Sequence, residues 1–397
     1  MLKNKHILLG VSGSIAAYKI ASVASHLVKR GAKVTVLMTK NATHFITQIT
    51  FETLTGNKCL VDTFDRNFDF SVEHVAIAKS ADLMLIAPAT ANLIGKLAAG
   101  IADDMLTTTV LALRCPILLS PAMNTAMYEN RIVQDNLERL HKFGFQIIDP
   151  AVGYLACGDT GAGKMPEPET LISMIEYTIG WEKDLQGKKV LITAGPTREA
   201  IDPVRFISNH STGKMGFALA KIAAMRGAEV TLISGPVSID PPDFVNFVSV
   251  VSAKEMFAEV EKRACDQNIC ICCAAVADMR PTEVASEKIK KDGKSRNIEL
   301  SPTIDILAWL GEHRSEKQVL VGFAMETEHL IENARLKLER KKADLIVANS
   351  LRTEGAGFAG NTNVVTFVSK ENEEALPLMT KEEVAGKILD WTARKIP

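Results

Sequence analysis

Two polar segments of this chain pair glycines with hydroxyl and cationic side chains directly after an apolar run. The first is Gly10-Val-Ser-Gly-Ser-Ile-Ala-Ala-Tyr-Lys19. Its glycines allow close backbone approach, Ser12 and Ser14 offer hydroxyls beside Gly13, and a helix starting here would present free N–H groups to a phosphate. The second runs from Gly195 to Gly216 and gathers Arg198, Arg205, Asn209, His210 and Lys214. It separates the apolar run Lys189-Val-Leu-Ile-Thr-Ala194 from a helical pattern. A long polar loop in that position is where an α/β sheet holds an anionic ligand.

Smaller constellations accompany them. Pro88-Ala-Thr-Ala-Asn92, with Thr90, and Pro121-Ala-Met-Asn124 each follow a strand-like run, so both belong to one pocket at a sheet edge. His74 lies in the helical stretch Glu73-His-Val-Ala-Ile-Ala78; alone it reads as a surface histidine, but a neutral imidazole can also meet a substrate carboxylate. Cys157 sits in Ala156-Cys-Gly-Asp-Thr-Gly-Ala-Gly-Lys-Met165, a glycine-rich polar loop. Gly158 to Lys164 fits G-x-x-x-x-G-K, but Met165 replaces the magnesium-binding hydroxyl and no strand is expected to lead in, which argues against a P-loop. In Ile269-Cys-Ile-Cys-Cys-Ala-Ala275, Cys270 and Cys272 face one way and Cys273 the other, so core packing is expected rather than zinc.

The elements that position these groups alternate along the chain. Strands are expected at 7–11, 33–38, 83–87, 116–120 and 145–148, with helices at 15–30, 41–54 and 130–143. The pattern restarts after Gly180-Trp-Glu-Lys-Asp-Leu-Gln-Gly187. Strands then fall at 189–194, 229–233, 269–273, 318–322, 345–348 and 363–368, and helices at 214–226, 253–265, 331–341 and 381–393; the helix at 169–179 closes the first half. Apolar strands alternating with helices predict two three-layer α/β domains on parallel sheets, 1–183 and 184–397. Residues 279–300 are charged and poorly periodic, an excursion carrying ligand groups or a dimer arm.

The 397 residues exceed the usual span of one core. A net charge of −1 gives no global case for nucleic acid or membrane, though Lys288-Ile-Lys-Lys291 is suited to phosphate. Seven cysteines fit no disulfide framework. The chain passes at once into a strand and no apolar run reaches membrane-spanning length, so a cytoplasmic protein is expected. Thr39 stands at the end of the second strand where NAD-binding folds place an acid, which argues against NAD and permits a mononucleotide.

With these motifs, the whole chain resembles the bifunctional phosphopantothenoylcysteine decarboxylase/phosphopantothenate–cysteine ligase family of coenzyme A biosynthesis. The resemblance implies a flavodoxin-like first domain of the homo-oligomeric flavin-containing cysteine decarboxylase type and a Rossmann-like ligase domain. Gly10, Ser12, Gly13, Ser14, Thr39, Pro88, Thr90 and Asn92 fall in segments that resemble those around FMN. His74, Asn124 and Cys157 match catalytic positions. The implied chemistry oxidises the cysteinyl end to a thioaldehyde with FMN, loses CO₂, and returns electrons to an enethiolate that Cys157 protonates; His74 orients the carboxylate or assists oxidation, and Asn124 binds the carboxylate.

In the second half the resemblance implies activation of 4'-phosphopantothenate by CTP, with a divalent cation such as Mg²⁺, followed by attack of cysteine on an acyl-cytidylate. Asn209 would hold that intermediate, Arg205 would act in its conversion, and Lys288 would assist activation. Asp278, Phe323, Lys341 and Asn349 would line the nucleotide pocket. Two departures stand out: Ser211-Thr212 in place of a serine pair, and Leu300-Ser-Pro-Thr-Ile-Asp-Ile306, where extra spacing leaves the register of 297–306 open. The family also implies trimers joined through ligase dimers into a dodecamer. Three rivals compete with this reading: an NAD-dependent oxidoreductase, a flavin-storage or scaffold protein that releases no CO₂, and a chain whose ligase half alone works.

Overall fold

The computed structural model describes residues 2–63, 73–154, 158–291, 297–326, 329–350 and 360–396. It divides into two compact units, Met1–Glu182 and Lys183–Pro397.

In the first unit β1 (His6–Val11), β2 (Lys33–Met38), β3 (Leu83–Ala89), β4 (Ile117–Pro121) and β5 (Gln146–Ile147) form a parallel sheet in the order β2-β1-β3-β4-β5. That 2-1-3-4-5 order is the flavodoxin-like one. Every residue of β1 and β3 is buried, as strands covered on both faces require. Alternation then sorts their side chains: Ile7 and Leu9 join one apolar cluster with helices Ala17–Lys29 and Pro168–Ile179. Leu8 points to the other, with helices Ala91–Ala99, Met105–Ala112 and Arg131–Lys142.

Two expectations change here. The helix over 41–54 is split into a 3₁₀ turn, Lys40–His44, and a helix, Gln48–Thr55. Extended residues Thr39 and Thr47 each start a new element, and the Thr39 hydroxyl accepts from Ala42 N. Within the loop expected at 156–165, Thr160–Lys164 is instead a strand, β7, antiparallel to β6 (Ala151–Tyr154). β6 ends at Tyr154, and residues 155–157, which separate it from Gly158, lie outside the described residues. The P-loop is excluded on better grounds: Thr160–Lys164 is itself a strand and does not open a helix.

The second unit contains β8 (Lys189–Ala194), β9 (Arg198–Ala200), β10 (Phe206–Ser208), β11 (Glu229–Ser234), β12 (Val245–Ser249), β13 (Ile269–Cys272), β14 (Met279–Pro281), β15 (Leu300–Pro302), β16 (Val319–Glu326), β17 (Leu345–Ser350), β18 (Thr362–Asn363), β19 (Val365–Ser369) and β20 (Glu373–Ala375). Its main sheet is ordered β12-β11-β8-β13-β16-β17-β19-β20. The first six strands are parallel and follow the Rossmann order 3-2-1-4-5-6, while β19 and β20 extend the edge antiparallel. The order reverses between β8 and β13, so the crevice at their carboxyl ends is the ligand position the topology provides.

The two ends of the 279–300 excursion pair as β14 and β15, Met279 with Pro302 and Pro281 with Leu300. This fixes the register left open near 300: Thr303 Oγ1 donates to Ala277 O at 2.6 Å, and Asp305 caps helix Ile306–His313 through Ala308 N. The half-exposed strand Val245–Ser249 was missed because its mixed Val-Asn-Phe-Val-Ser composition suits an edge. Among the described residues no helix is long and apolar enough to cross a membrane.

Candidate active sites

Three strand ends of the first unit converge on a cleft of about 1100 Å³ lined by residues that include Ser12, Gly13, Ser14, Thr39, Thr90 and Asn92. Ser12 is buried, and its hydroxyl donates to Pro88 O at 2.7 Å while accepting from Thr90 N at 3.0 Å. Ser12 therefore fastens the β1 loop to the β3 loop. Ser14 is freer: it is half-exposed and heads helix Ala17–Lys29, whose first turn has no side-chain cap. Thr90 caps helix Ala91–Ala99 through Leu93 N at 3.4 Å. Two helix N-termini thus border the cleft, the electrostatic setting that suits a phosphate. A Cβ on Gly13 would lie 2.7 Å from Asn41 Cβ, so only glycine lets these loops close together. Gly10 lies beneath, buried against Met84 and Leu106, and Pro88 contributes its carbonyl.

An adjoining chamber of about 580 Å³ shares Ser14, Ala122 and Met123 with that cleft and adds Lys19, Asn124, Tyr154, Lys164 and Glu167. Asn124 Oδ1 accepts from Ala126 N at 2.9 Å, and Nδ2 donates to Asp159 Oδ2 at 2.7 Å. Lys19 bonds Glu167 at 2.8 Å, holding that carboxyl below the usual range. Gly163 N–Cα has φ +126°, and a Cβ there would meet Met123 O at 2.4 Å. The hairpin consequently lies directly on the loop carrying Asn124, with Met123 N donating to Gly163 O at 3.1 Å. The structure brings the phosphate cleft and Asn124 together but leaves His74 out; it is half-buried on helix Glu73–Ser80 and lines neither chamber. Cys157 lies outside the described residues.

In the second unit the long loop folds back as the β9–β10 hairpin, with Arg198 stacked 4.7 Å over the Phe206 ring. Asn209 Nδ2 donates to the carbonyls of Val276 at 3.0 Å and Ala275 at 3.3 Å, which binds this loop to the end of β13. Ala275 N in turn donates to Gly195 O at 2.9 Å. Asp278 is exposed on the same turn, and its carbonyl accepts from Thr303 N. Arg205 and Lys288 are exposed, and Arg205 Nη1 reaches Ile289 O at 3.1 Å. Asn209 and Asp278 thus lie by the turn after β13, and Arg205 meets the segment that carries Lys288.

A cavity of about 150 Å³ beside them is lined by Gly213, Lys214, Cys273, Phe323, Asn349 and Lys381, among others. Sequence reasoning missed Lys381, which is 6% exposed and enters from a distant helix whose pattern gave no sign of a site. Lys341 stands apart from this cavity, its ammonium 2.5 Å from Asp305. The Lys337 ammonium, also missed, donates to Phe323 O at 2.9 Å. Burial pushes the Cys270 and Cys273 thiols up to about 12, and Cys272 is raised likewise. Cys270 packs in the core, Cys272 against it, and Cys273 lines the cavity on the other side. The expected facing is thus correct, and no group of three or more metal-binding side chains occurs among the described residues.

A flavodoxin-ordered unit with a phosphate cleft, followed by a Rossmann-ordered unit with an anion-binding loop, defines a two-domain flavoprotein. The comparisons agree. Residues 1–180 match the Flavoprotein family, and residues 185–395 match the DNA/pantothenate metabolism flavoprotein C-terminal domain family. The coenzyme A biosynthesis bifunctional protein CoaBC of Bacillus subtilis (strain 168) is 48% identical over 397 residues, covering 99% of this chain and 98% of the relative. The protein of the same description from Escherichia coli (strain K12) is 44% identical over 392 residues, covering 98% and 97%. A crystal structure of the C-terminal domain of a CoaBC protein is 45% identical, covers 54% of this chain and 97% of its own, and has a TM-score of 0.46. This chain belongs to the family of bifunctional coenzyme A biosynthesis proteins, the decarboxylase–ligase enzymes to which its motifs pointed.

Proposed function

We propose that residues 184–397 join 4'-phosphopantothenate to cysteine at the expense of CTP, and that residues 1–183 decarboxylate the product to 4'-phosphopantetheine with FMN. The observation that carries this reading is the pairing of two different anion sites in one chain, each at the carboxyl edge of its own sheet.

In the ligase half, a carboxylate resists attack by an amine until one oxygen becomes a leaving group. CTP, entering as its divalent-cation complex, supplies that group as CMP. Lys288 offsets charge on the phosphoryl oxygens as the acyl-cytidylate forms, and Arg205 acts in its conversion. Asn209, turned by its bonds to Ala275 and Val276, holds the intermediate for cysteine. Asp278, Phe323, Asn349 and Lys341 bind the nucleotide.

In the decarboxylase half, Gly13, Ser14 and the two helix N-termini hold the FMN phosphate, with Gly10, Ser12, Thr39, Pro88, Thr90 and Asn92 shaping the cleft. Bound FMN supplies a reversible two-electron acceptor for the cysteinyl end of the substrate. Asn124 binds the departing carboxylate from the adjoining chamber. Cys157 delivers the proton to the enethiolate. His74 acts on the carboxylate from a neighbouring copy, because its own chain's chambers do not include it. That requirement favours a homo-oligomer, and trimers of the first unit joined through dimers of the second give a dodecamer.

The test is substitution in the full chain. Cys157→Ser should stop 4'-phosphopantetheine formation and leave the decarboxylated enethiol while CMP formation continues, and Lys288→Gln should stop CMP formation while decarboxylation of supplied phosphopantothenoylcysteine continues. Native mass spectrometry showing only monomers would contradict the oligomer.

A further inference from the structure

The loop of the second site contains a buried acid that the chemistry above does not use. Asp202 is 2% exposed, three residues before exposed Arg205. A carboxylate is costly to bury unless its lone pairs are met. Oδ1 accepts from the backbone N–H groups of Val204 and Arg205, each at 2.8 Å. That half of the side chain explains the turn. Oδ2 does something else: it accepts from Ile289 N at 3.1 Å and from Arg205 Nη1 at 3.2 Å. The same Nη1 also donates to Ile289 O at 3.1 Å. A second tie between the segments runs from Ala285 N to Ile201 O at 3.0 Å.

These bonds join segments 87 residues apart. The Ile289 N–H lies in the peptide plane that contains Lys288 Cα, so fixing it fixes the root of the Lys288 side chain. The ammonium stays exposed and able to reach a ligand. On the Arg205 guanidinium only Nη1 takes part in these contacts, leaving Nε and Nη2 for substrate.

We propose that Asp202 is the positioning residue of the ligase site: its Oδ2 sets Arg205 and Lys288 at a fixed separation, so that both cations meet the same reacting centre as the acyl-cytidylate forms and is converted. The inference rests on the roles given to Arg205 and Lys288 above. Two cations placed independently on flexible stems would lose much of their effect, since misplacement by about 1 Å can cost on the order of a hundredfold in rate.

The test uses the full-length enzyme with 4'-phosphopantothenate and CTP. Pyrophosphate release without cysteine reads activation, and CO₂ release from supplied phosphopantothenoylcysteine is the internal control. Asp202→Asn keeps an acceptor for the turn but sets an NH₂ group against Ile289 N. Asp202→Ser keeps a shorter turn acceptor and deletes Oδ2, and serves if the first variant does not fold. Either should lower the activation kcat by about a hundredfold, with KM for CTP within about threefold and CO₂ release unchanged. Adding Lys288→Gln to Asp202→Asn should cost activation little beyond Lys288→Gln alone, since the cation that assists activation is no longer there to position. Wild-type activation in both Asp202 variants, or fully additive losses in the double variant, would overturn the proposal. If Lys288→Gln itself activates, and Arg205→Ala itself converts the acyl-cytidylate, at the wild-type rate, the reading of the site fails instead.

Discussion

Asn124 donates from Nδ2 to the Asp159 carboxylate at 2.7 Å, while its Oδ1 accepts from Ala126 N. The pair decides which way the amide faces, because a carboxylate accepts only from the NH₂ end. It also ties the loop after β4 to the segment leading into β7. Asp159→Ala should therefore release the amide and lower decarboxylation by about tenfold to a hundredfold, with ligation unchanged. Unaltered CO₂ release from phosphopantothenoylcysteine would separate Asn124 orientation from catalysis.

Gly13 and Gly163 act through close approach rather than through side-chain chemistry. Gly13→Ala forces the loop away from Asn41 and should reduce bound FMN, read as flavin absorbance per mole of purified protein. Gly163→Ala places a Cβ against Met123 O in a backbone conformation that disfavours it, and should cost about 1–3 kcal/mol. Thermal unfolding of the full chain checks the second, and full flavin occupancy in Gly13→Ala would contradict the first.

Both parallel sheets, both polar loops, the strand-end position of Asn124 and the loop position of Asn209 were legible because apolar runs and glycine-rich punctuation set them. What was hidden depends on long-range pairing. Asp202 read as one more loop acid, since nothing local announces that Ile289 returns to it. Lys381 read as the first residue of an amphipathic helix, and its burial follows only from the packing of the second unit. The β6–β7 hairpin was taken for a loop because Gly153, Gly161 and Gly163 lower strand propensity, while its hold on Met123 comes from contact with another segment.

Acid should destabilise the second unit. The Arg226 guanidinium holds Asp184 below the usual carboxylate range. Burial alone would raise Asp202 and Asp305, but backbone N–H groups for the former and Lys341 with Ala308 N for the latter outweigh it, so both are lowered. Carboxyls depressed in the folded state contribute stability above their unfolded pKa of about 4, and lose it as pH falls through the folded values. The unfolding temperature should accordingly drop between roughly pH 4 and pH 2, and a flat profile there would contradict these assignments.

Thiol reactivity should follow burial. Cys59, Cys270 and Cys273 are each pushed up to about 12, whereas Cys265 is exposed. At about pH 8 a thiolate-directed reagent should label Cys265 in the native protein and reach buried Cys59 and Cys270 only after unfolding. Rapid native labelling of Cys270 would contradict the packing of β13.

The most direct test is a single incubation of the purified protein with 4'-phosphopantothenate, cysteine, CTP, Mg²⁺ and FMN, resolved by mass spectrometry. The account predicts 4'-phosphopantetheine together with CMP, pyrophosphate and CO₂. Accumulation of 4'-phosphopantothenoylcysteine would contradict a working first site, and unconsumed CTP would contradict the second.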